Sequence, residues 1–228
     1  MDRNEVENTA KYMAFPVENN GDGRKYFYDD KHEWTLLPDT HEVYKGSAMN
    51  KHHYTTKYHR EHVIPALDRI LSMGFLESDF RLVNHRVPDD RDPELILDLD
   101  YLRPVVDRRF RVIAFNYKMH YESGFDGLMA SRRVAGRTWS TPYHDLFCLP
   151  HVSSTVRNLS GGNGKKLLIL GDSQMIPSLP VLCCCYNTVT YVDNRANIPI
   201  LDRLDKRYDD VLVSVFAKDL DYYFGFLQ

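Results

Sequence analysis

Residues Leu167–Pro177 read LLILGDSQMIP: four consecutive apolar residues, then Gly171-Asp172-Ser173, then a run that reaches a proline. A short apolar run that ends in glycine, preceded by the turn-rich loop Ser160–Gly164 (SGGNG), reads as a strand buried on both faces. A short helix is expected over Ile176–Tyr186, with Pro177 in its first turn and Pro180 as a kink or limit. Thr188–Asp193 (TVTYVD) has the pattern of a second strand. Ile198–Tyr208 carries Ile198, Leu201, Leu204 and Tyr208 on one side of a helix, and Val211–Phe216 (VLVSVF) reads as a third strand. Strand–helix–strand–helix–strand with short connections is a parallel βαβαβ unit. The fold class is therefore α/β, with a parallel sheet and helices on both faces.

Upstream of this unit the pattern is less regular. Lys25–Tyr28 and Glu33–Leu37 flank the polar turn Asp29–His32 as a possible hairpin. Ser47–Met73 reads as a long helix expected to break before Pro65 and stop at Gly74, with a core-facing stripe in its second part. Residues 79–150 mix charged loops with possible strands such as Arg111–Phe115, and read as an irregular insert. The organisation expected is one domain over residues 1–228: the segment 25–75, the insert 79–150, and the βαβαβ unit 160–228.

Composition bounds the function. The chain has 228 residues, 29 Lys+Arg against 32 Asp+Glu and a formal charge of -3; it is 43% hydrophobic and 12% aromatic. A nucleic-acid binder of this kind normally shows a basic excess or stripe, so none is expected as partner. No run approaches the ~20 apolar residues of a membrane helix. The polar start MDRNEVENTAKYM lacks the core of a signal peptide, so the chain reads as cytoplasmic unless a preceding segment is missing. Cys183-Cys184-Cys185 and the isolated Cys148 fit neither a disulfide framework nor CxxC metal spacing, and read as small buried hydrophobes. Neither a metal nor a cofactor is expected. His59 and His62 share a helix face, but the surrounding Lys, Arg and Thr residues read as a solvated surface.

Ser173 carries the chemical signal. In open parallel sheets ligands bind beyond the carboxyl ends of the strands, where a serine meets the N–H groups of the next helix. It can serve there as a nucleophile, or simply as a helix cap. A nucleophile needs a base, and no histidine follows His151. The base must come from upstream. Asp39-Thr40-His41 and Asp30-Lys31-His32 both have the spacing Asp-x-His, which in extended chain puts the carboxylate on the imidazole's side. The GxSxG elbow of α/β-hydrolases is absent.

These motifs resemble the DHHW proteins and the related alginate O-acetyltransferases of the SGNH-hydrolase-like superfamily. That group has an upstream Asp-x-His, commonly followed by Trp-Thr and then Gly-Ala opening a helix, and a downstream strand-ending Asp-Ser. Asp39-Thr40-His41 followed by Gly46-Ser47 matches the first part, with Glu42-Val43 in place of Trp-Thr; a Trp-Thr pair instead follows His32. Asn163–Ser173, Val189–Arg195 and Asp210–Phe216 are similar to the second. The resemblance covers about residues 25–75 and 155–220. It implies an SGNH-like, flavodoxin-like sheet and a Ser173–His41–Asp39 triad, with Asp30/His32 as the competing pair. It also implies O-acyl, foremost O-acetyl, chemistry on a polysaccharide or other glycan, with the acyl donor unspecified. Arg195 is the candidate contact to donor or acceptor.

Two other readings share the scaffold. A nucleotide-binding module is suggested by Asp193, about 20 positions after Gly171, although the turn lacks Gly-x-Gly-x-x-Gly. A non-catalytic glycan-binding domain is compatible with the same strands.

Overall fold

The structure, a computed structural model, describes residues 3–16, 31–40, 53–84, 86–88, 96–98, 100–114, 119–129, 153–193 and 207–216. The apolar runs form the strands they predict. Lys166–Gly171 (β10), Thr188–Asp193 (β11) and Asp210–Phe216 (β12) run parallel, with β10 between the other two. On the far side of β12 lie Lys11–Phe15 (β1) and then Trp34–Leu36 (β2), both parallel to it. The predicted hairpin is not how β2 pairs: it lies parallel to β1, and residues 25–28 fall outside the described residues.

Beyond β11 the sheet turns antiparallel, through Ser153–Asn158 (β9), Arg109–Ala114 (β7) and Met119–Gly124 (β8). The eight-stranded order is β2-β1-β12-β10-β11-β9-β7-β8. Part of the segment read as an insert thus extends the main sheet. The same segment forms two small ribbons, Phe80–Val83 (β3) with Tyr101–Pro104 (β6), and Arg86–Pro88 (β4) with Ile96–Asp98 (β5).

Burial explains the split between parallel and antiparallel halves. Leu167, Leu168, Ile169 and Leu170 are all buried, because β10 is covered on both faces. Met13, Phe15, Leu167, Ile169, Val189, Tyr191, Leu212 and Phe216 join the larger core on one face. Tyr12, Ala14, Leu168, Leu170, Val192, Val211, Val213 and Val215 join the other, capped by Val6 of the helix Arg3–Thr9 (α1). In β7 only alternate residues are buried: Phe110 and Val112 point into the core, while Arg111 pairs with the opposite Glu122.

Against the larger core lies one helical run: Thr56–Tyr58 (α2), a π turn over His59–Val63, and Ile64–Leu71 (α3). The break expected before Pro65 is a π turn instead. Proline cannot donate to the ladder, and a widened turn absorbs the missing bond without ending the helix. The run stops at Ser72, which takes the left-handed cap at φ 49°, two residues before Gly74. After β10 the chain forms a 3-10 helix, Ser173–Ser178, and then Leu179–Cys185 (α4). Pro180 sits in the first turn of α4, where its missing N–H costs nothing. The predicted helix 198–208 falls almost wholly outside the described residues.

The loop from β9 to β10 depends on Gly162. A Cβ there would lie 2.6 Å from the Cys185 carbonyl oxygen and from the Tyr186 carbonyl carbon, so the loop closes on the end of α4 only as glycine. No helix among the described residues is long and apolar enough to cross a membrane.

Candidate active site

The carboxyl ends of β1, β12, β10 and β11 stand level, since Phe15 is in register with Phe216, and Gly171 with both Ser214 and Asp193. Three connections leave this edge in different directions: β1 leads outward to β2, β10 leads the other way to β11, and the helical run bridges them. This is where an open parallel sheet leaves a crevice for a ligand.

Gly171 meets the requirement of that edge through space rather than dihedral angle. Its φ is not in the left-handed range, but a Cβ would come within 3.3 Å of Ile169 Cγ2 and 3.4 Å of Tyr191 Cε2. Asp172 follows in extended conformation, buried, as the cap of the 3-10 helix. Its Oδ1 accepts from the Gln174 N–H at 2.8 Å, and its Oδ2 accepts from the Phe216 N–H at the end of β12. One carboxylate thus joins the turn after β10 to the neighbouring strand. Both contacts are charge-assisted bonds to backbone N–H groups.

Ser173 follows, half-buried, with its side chain on His53. His53 Nε2 lies 2.8 Å from Ser173 Oγ. The next residue on each side adds a second link, because the Tyr54 N–H donates to Gln174 Oε1 at 3.4 Å. Aromatic packing fixes the segment that carries the imidazole. Tyr54 stacks on Tyr58 at 4.1 Å between ring centroids, and Phe15 lies against both. The Tyr54 hydroxyl donates to the Pro16 carbonyl, and the Tyr58 hydroxyl to the Pro38 carbonyl at 2.7 Å. The first residues after β1 and β2 therefore hold the segment that carries His53 in place.

Sequence spacing offers Asp39/His41 and Asp30/His32 as the pairs for Ser173. His41 lies outside the described residues, as does Arg195. Asp39 follows the carbonyl that Tyr58 binds, close enough for its charge to help raise the Tyr58 phenol above its ordinary value, an effect due chiefly to burial. His32 stacks on Tyr12 at 4.3 Å, and Tyr12 belongs to the smaller core on the opposite face of the sheet. Among the described residues, the imidazole within hydrogen-bond distance of Ser173 Oγ is that of His53. An Asp-x-His search passes over it because Lys51 stands two residues before it. A signal that the spacing rule did not use is the pair Tyr54-Thr55 after His53, an aromatic-Thr pair like the Trp-Thr after His32.

A second Ser–His pair lies beneath the first. His59 Nδ1 is 2.8 Å from Ser178 Oγ, and both residues are almost fully buried. Burial lowers the His59 pKa from 6.5 to about 3, so its imidazole is neutral in the folded protein. Below pH 6.5 the unfolded chain takes up a proton that the folded chain refuses. His59 therefore makes stability fall as pH drops from about 6.5 towards 3, and has no such effect above that window. At roughly 1.4 kcal/mol per unit, about 3 kcal/mol is expected to be lost between pH 6.5 and pH 4. Urea unfolding of wild type and His59→Asn across this range measures it, and the variant should show the shallower dependence; equal slopes would refute the assignment.

Among the described residues no three His, Cys, Asp or Glu side chains come together to hold a metal. His62 packs against the Tyr58 ring, while His59 is engaged with Ser178. The thiols of Cys183 and Cys184 are buried, and burial holds Cys185 protonated, pushing it up to about 12.

No protein-family model matches the chain, and no curated protein matches it in sequence. Its fold does match solved structures. Bacillus cereus PatB1 superposes with a TM-score of 0.65 at 12% identity, over 95% of this chain and 85% of that one. PatB1 with a sulfonyl adduct gives 0.62 at 13%, over 96% and 84%. A DHHW family protein from Eubacterium siraeum gives 0.59 at 11%, over 95% and 80%. The scaffold is thus the SGNH-like α/β fold that the motifs suggested, shared over most of the chain with a DHHW family protein and with PatB1.

Proposed function

We propose that this protein is a serine-dependent O-acyltransferase or esterase that acts on O-acyl, foremost O-acetyl, groups of a glycan through an acyl-enzyme at Ser173. The observation that carries the reading is the 2.8 Å contact between Ser173 Oγ and His53 Nε2 at the carboxyl edge of the sheet. A hydroxyl becomes a useful nucleophile at neutral pH when an adjacent base takes its proton, and this is the geometry that step needs.

The chemistry follows from the contacts. With its proton on Nδ1, His53 accepts the Ser173 hydroxyl proton at Nε2 as Oγ attacks the acyl carbonyl. The tetrahedral intermediate carries the negative charge on the former carbonyl oxygen. His53 then returns the proton to the departing alkoxide, leaving Ser173 acylated. Water or a glycan hydroxyl attacks the acyl group by the reverse sequence, giving hydrolysis or transfer. The Ser173 N–H is the donor assigned to the oxyanion. The next two N–H groups are committed elsewhere: Gln174 N–H donates to the Asp172 carboxylate and Met175 N–H to the Asp172 carbonyl, the latter at 3.2 Å. Arg195 keeps the role of ligand contact as a sequence-based assignment; Asp39 is assigned by sequence to orient His41, and that pair is the alternative to His53 as base.

The sulfonyl adduct carried by one of the fold neighbours fits this class of chemistry, since sulfonyl electrophiles capture activated nucleophiles. The nucleotide reading loses its physical basis. Asp172 already occupies the N–H that would meet a phosphate, and its charge would repel one; Asp193 is buried rather than presented to a ribose. Turnover of a chromogenic acetyl ester by wild type and by Ser173→Ala tests the proposal, and binding of a glycan without any turnover would replace it with the binding-domain reading.

A further inference from the structure

The Ser173–His53 contact joins two short segments, residues 53–63 and residues 173–178, that also meet at their other ends. Five steps of 3-10 helix from Ser173 to Ser178 advance roughly 10 Å. The facing segment enters from His53 through the extended cap Thr55 into the helix at Thr56, and reaches His59 six residues on. The two runs therefore lie side by side in the same direction, with His53 on Ser173 at one end and His59 on Ser178 at the other, each at 2.8 Å. Tyr54 N–H on Gln174 lies between them.

The inner pair differs from the outer in exposure. Ser178 is 0% and His59 1% exposed, whereas Ser173 and His53 are half-buried. Among the described residues no group bonds the remaining ring nitrogen of His59, Nε2. A buried imidazole with one nitrogen unmatched is a costly way to fill space beside Phe15 and Tyr58, since a buried polar atom without a partner is destabilising. An apolar side chain would pack there without that cost. What the imidazole adds is a directional bond to the nucleophile's own helix. His59 is also the first residue of the π turn, a local widening that recurs at functional sites.

We infer that the His59–Ser178 bond is a tether that sets the distance between His53 and Ser173, so that His59 and Ser178 are positioning residues for the acyl-transfer site. The inference rests on the reading of Ser173 as nucleophile and His53 as base. The outer contact is made and broken in every turnover, whereas the inner one lies out of reach of water and substrate and persists throughout. Small displacements matter there, because a misplacement of about 1 Å at reacting groups is enough to cost ~100-fold in rate.

The experiment compares Ser178→Ala and His59→Asn with wild type. Ser178→Ala removes only the hydroxyl, while His59→Asn places an amide N–H near the position of Nδ1. With a chromogenic acetyl ester, Ser178→Ala is expected to lower kcat at least ~10-fold with KM within about twofold, and to slow sulfonylation of Ser173 by a sulfonyl fluoride in proportion. His59→Asn should retain most of the activity and His59→Ala should not. Wild-type kcat in Ser178→Ala, or equal loss in His59→Asn and His59→Ala, would overturn the tether. A readout free of turnover is the imidazole 15N signal of His53, with Ser173→Ala as the reference for a broken contact. In Ser178→Ala it should move towards that reference, and an unmoved signal refutes the tether whether or not the protein turns over esters. A moved signal in a protein whose Ser173 is never sulfonylated would support the tether and sink the acyl-enzyme reading.

Discussion

Ser173→Ala is expected to lower turnover of an acetyl ester by at least ~10³-fold, with the fold intact. The hydroxyl is half-buried, and its one assigned contact is to His53, so its loss leaves no buried group stranded in the core. The thermal midpoint should therefore stay within a few degrees of wild type, which separates chemistry from folding. His53→Ala should cost a comparable factor, because a serine without its base is a weak nucleophile. The double variant should be little worse than either single one, since a nucleophile and its base act as a unit and their effects do not add. Residual activity above the uncatalysed rate would report what the Ser173 N–H and substrate binding contribute by themselves. Unchanged turnover in Ser173→Ala would place any activity elsewhere in the molecule.

How much of this was legible in sequence follows from what each feature depends on. The strands β10, β11 and β12 were readable because burial on both faces leaves a run that is apolar throughout in β10 and broken only by the small polar residues Thr190 and Ser214 within β11 and β12, and that pattern is local. Ser173 was readable for the same reason, since its position at the end of β10 follows from the strand. The antiparallel half was harder: in Arg109–Ala114 Phe110 and Val112 are buried, and Arg109 and Arg111, which alternate with them, resemble a charged loop. The His53 contact to Ser173 was not legible by the rule applied. That rule asked for a carboxylate two residues before histidine, and His53 has Lys51 there. What brings His53 to Ser173 is tertiary: Tyr54 and Tyr58 bonding to the ends of the loops after β1 and β2, and Tyr54 N–H to Gln174. None of these partners is near in sequence, and no periodicity announces them. The tether at His59 was hidden in the same way, because a histidine among Lys, Arg and Thr residues reads as surface until the π turn rotates it inward.

Asp172→Ala is expected to destabilise the fold by about 3–5 kcal/mol, a large share of the roughly 5–15 kcal/mol that holds a domain together. The carboxylate is 2% exposed and accepts from two backbone N–H groups on different elements, Gln174 in the helix after β10 and Phe216 at the end of β12. A buried ion pair can be replaced by apolar residues at little cost, because both partners can be changed together. That escape is closed here, for the donors belong to the main chain and no substitution removes them. Truncation leaves both N–H groups buried without an acceptor, at about 1–3 kcal/mol each, and loses the favourable charge-assisted contacts as well. Asp172→Asn should fall between, since its amide oxygen satisfies one N–H while its NH₂ faces the other. With an m-value of about 2 kcal/mol/M, the urea midpoint should drop by roughly 1.5–2.5 M in Asp172→Ala and by less in Asp172→Asn. Because the same carboxylate fixes the turn that presents Ser173, kcat measured on the folded fraction should fall too. A midpoint equal to wild type would show that the Phe216 and Gln174 contacts carry no weight, and a stable variant with full kcat would show that Ser173 is held by its own helix and by His53 instead.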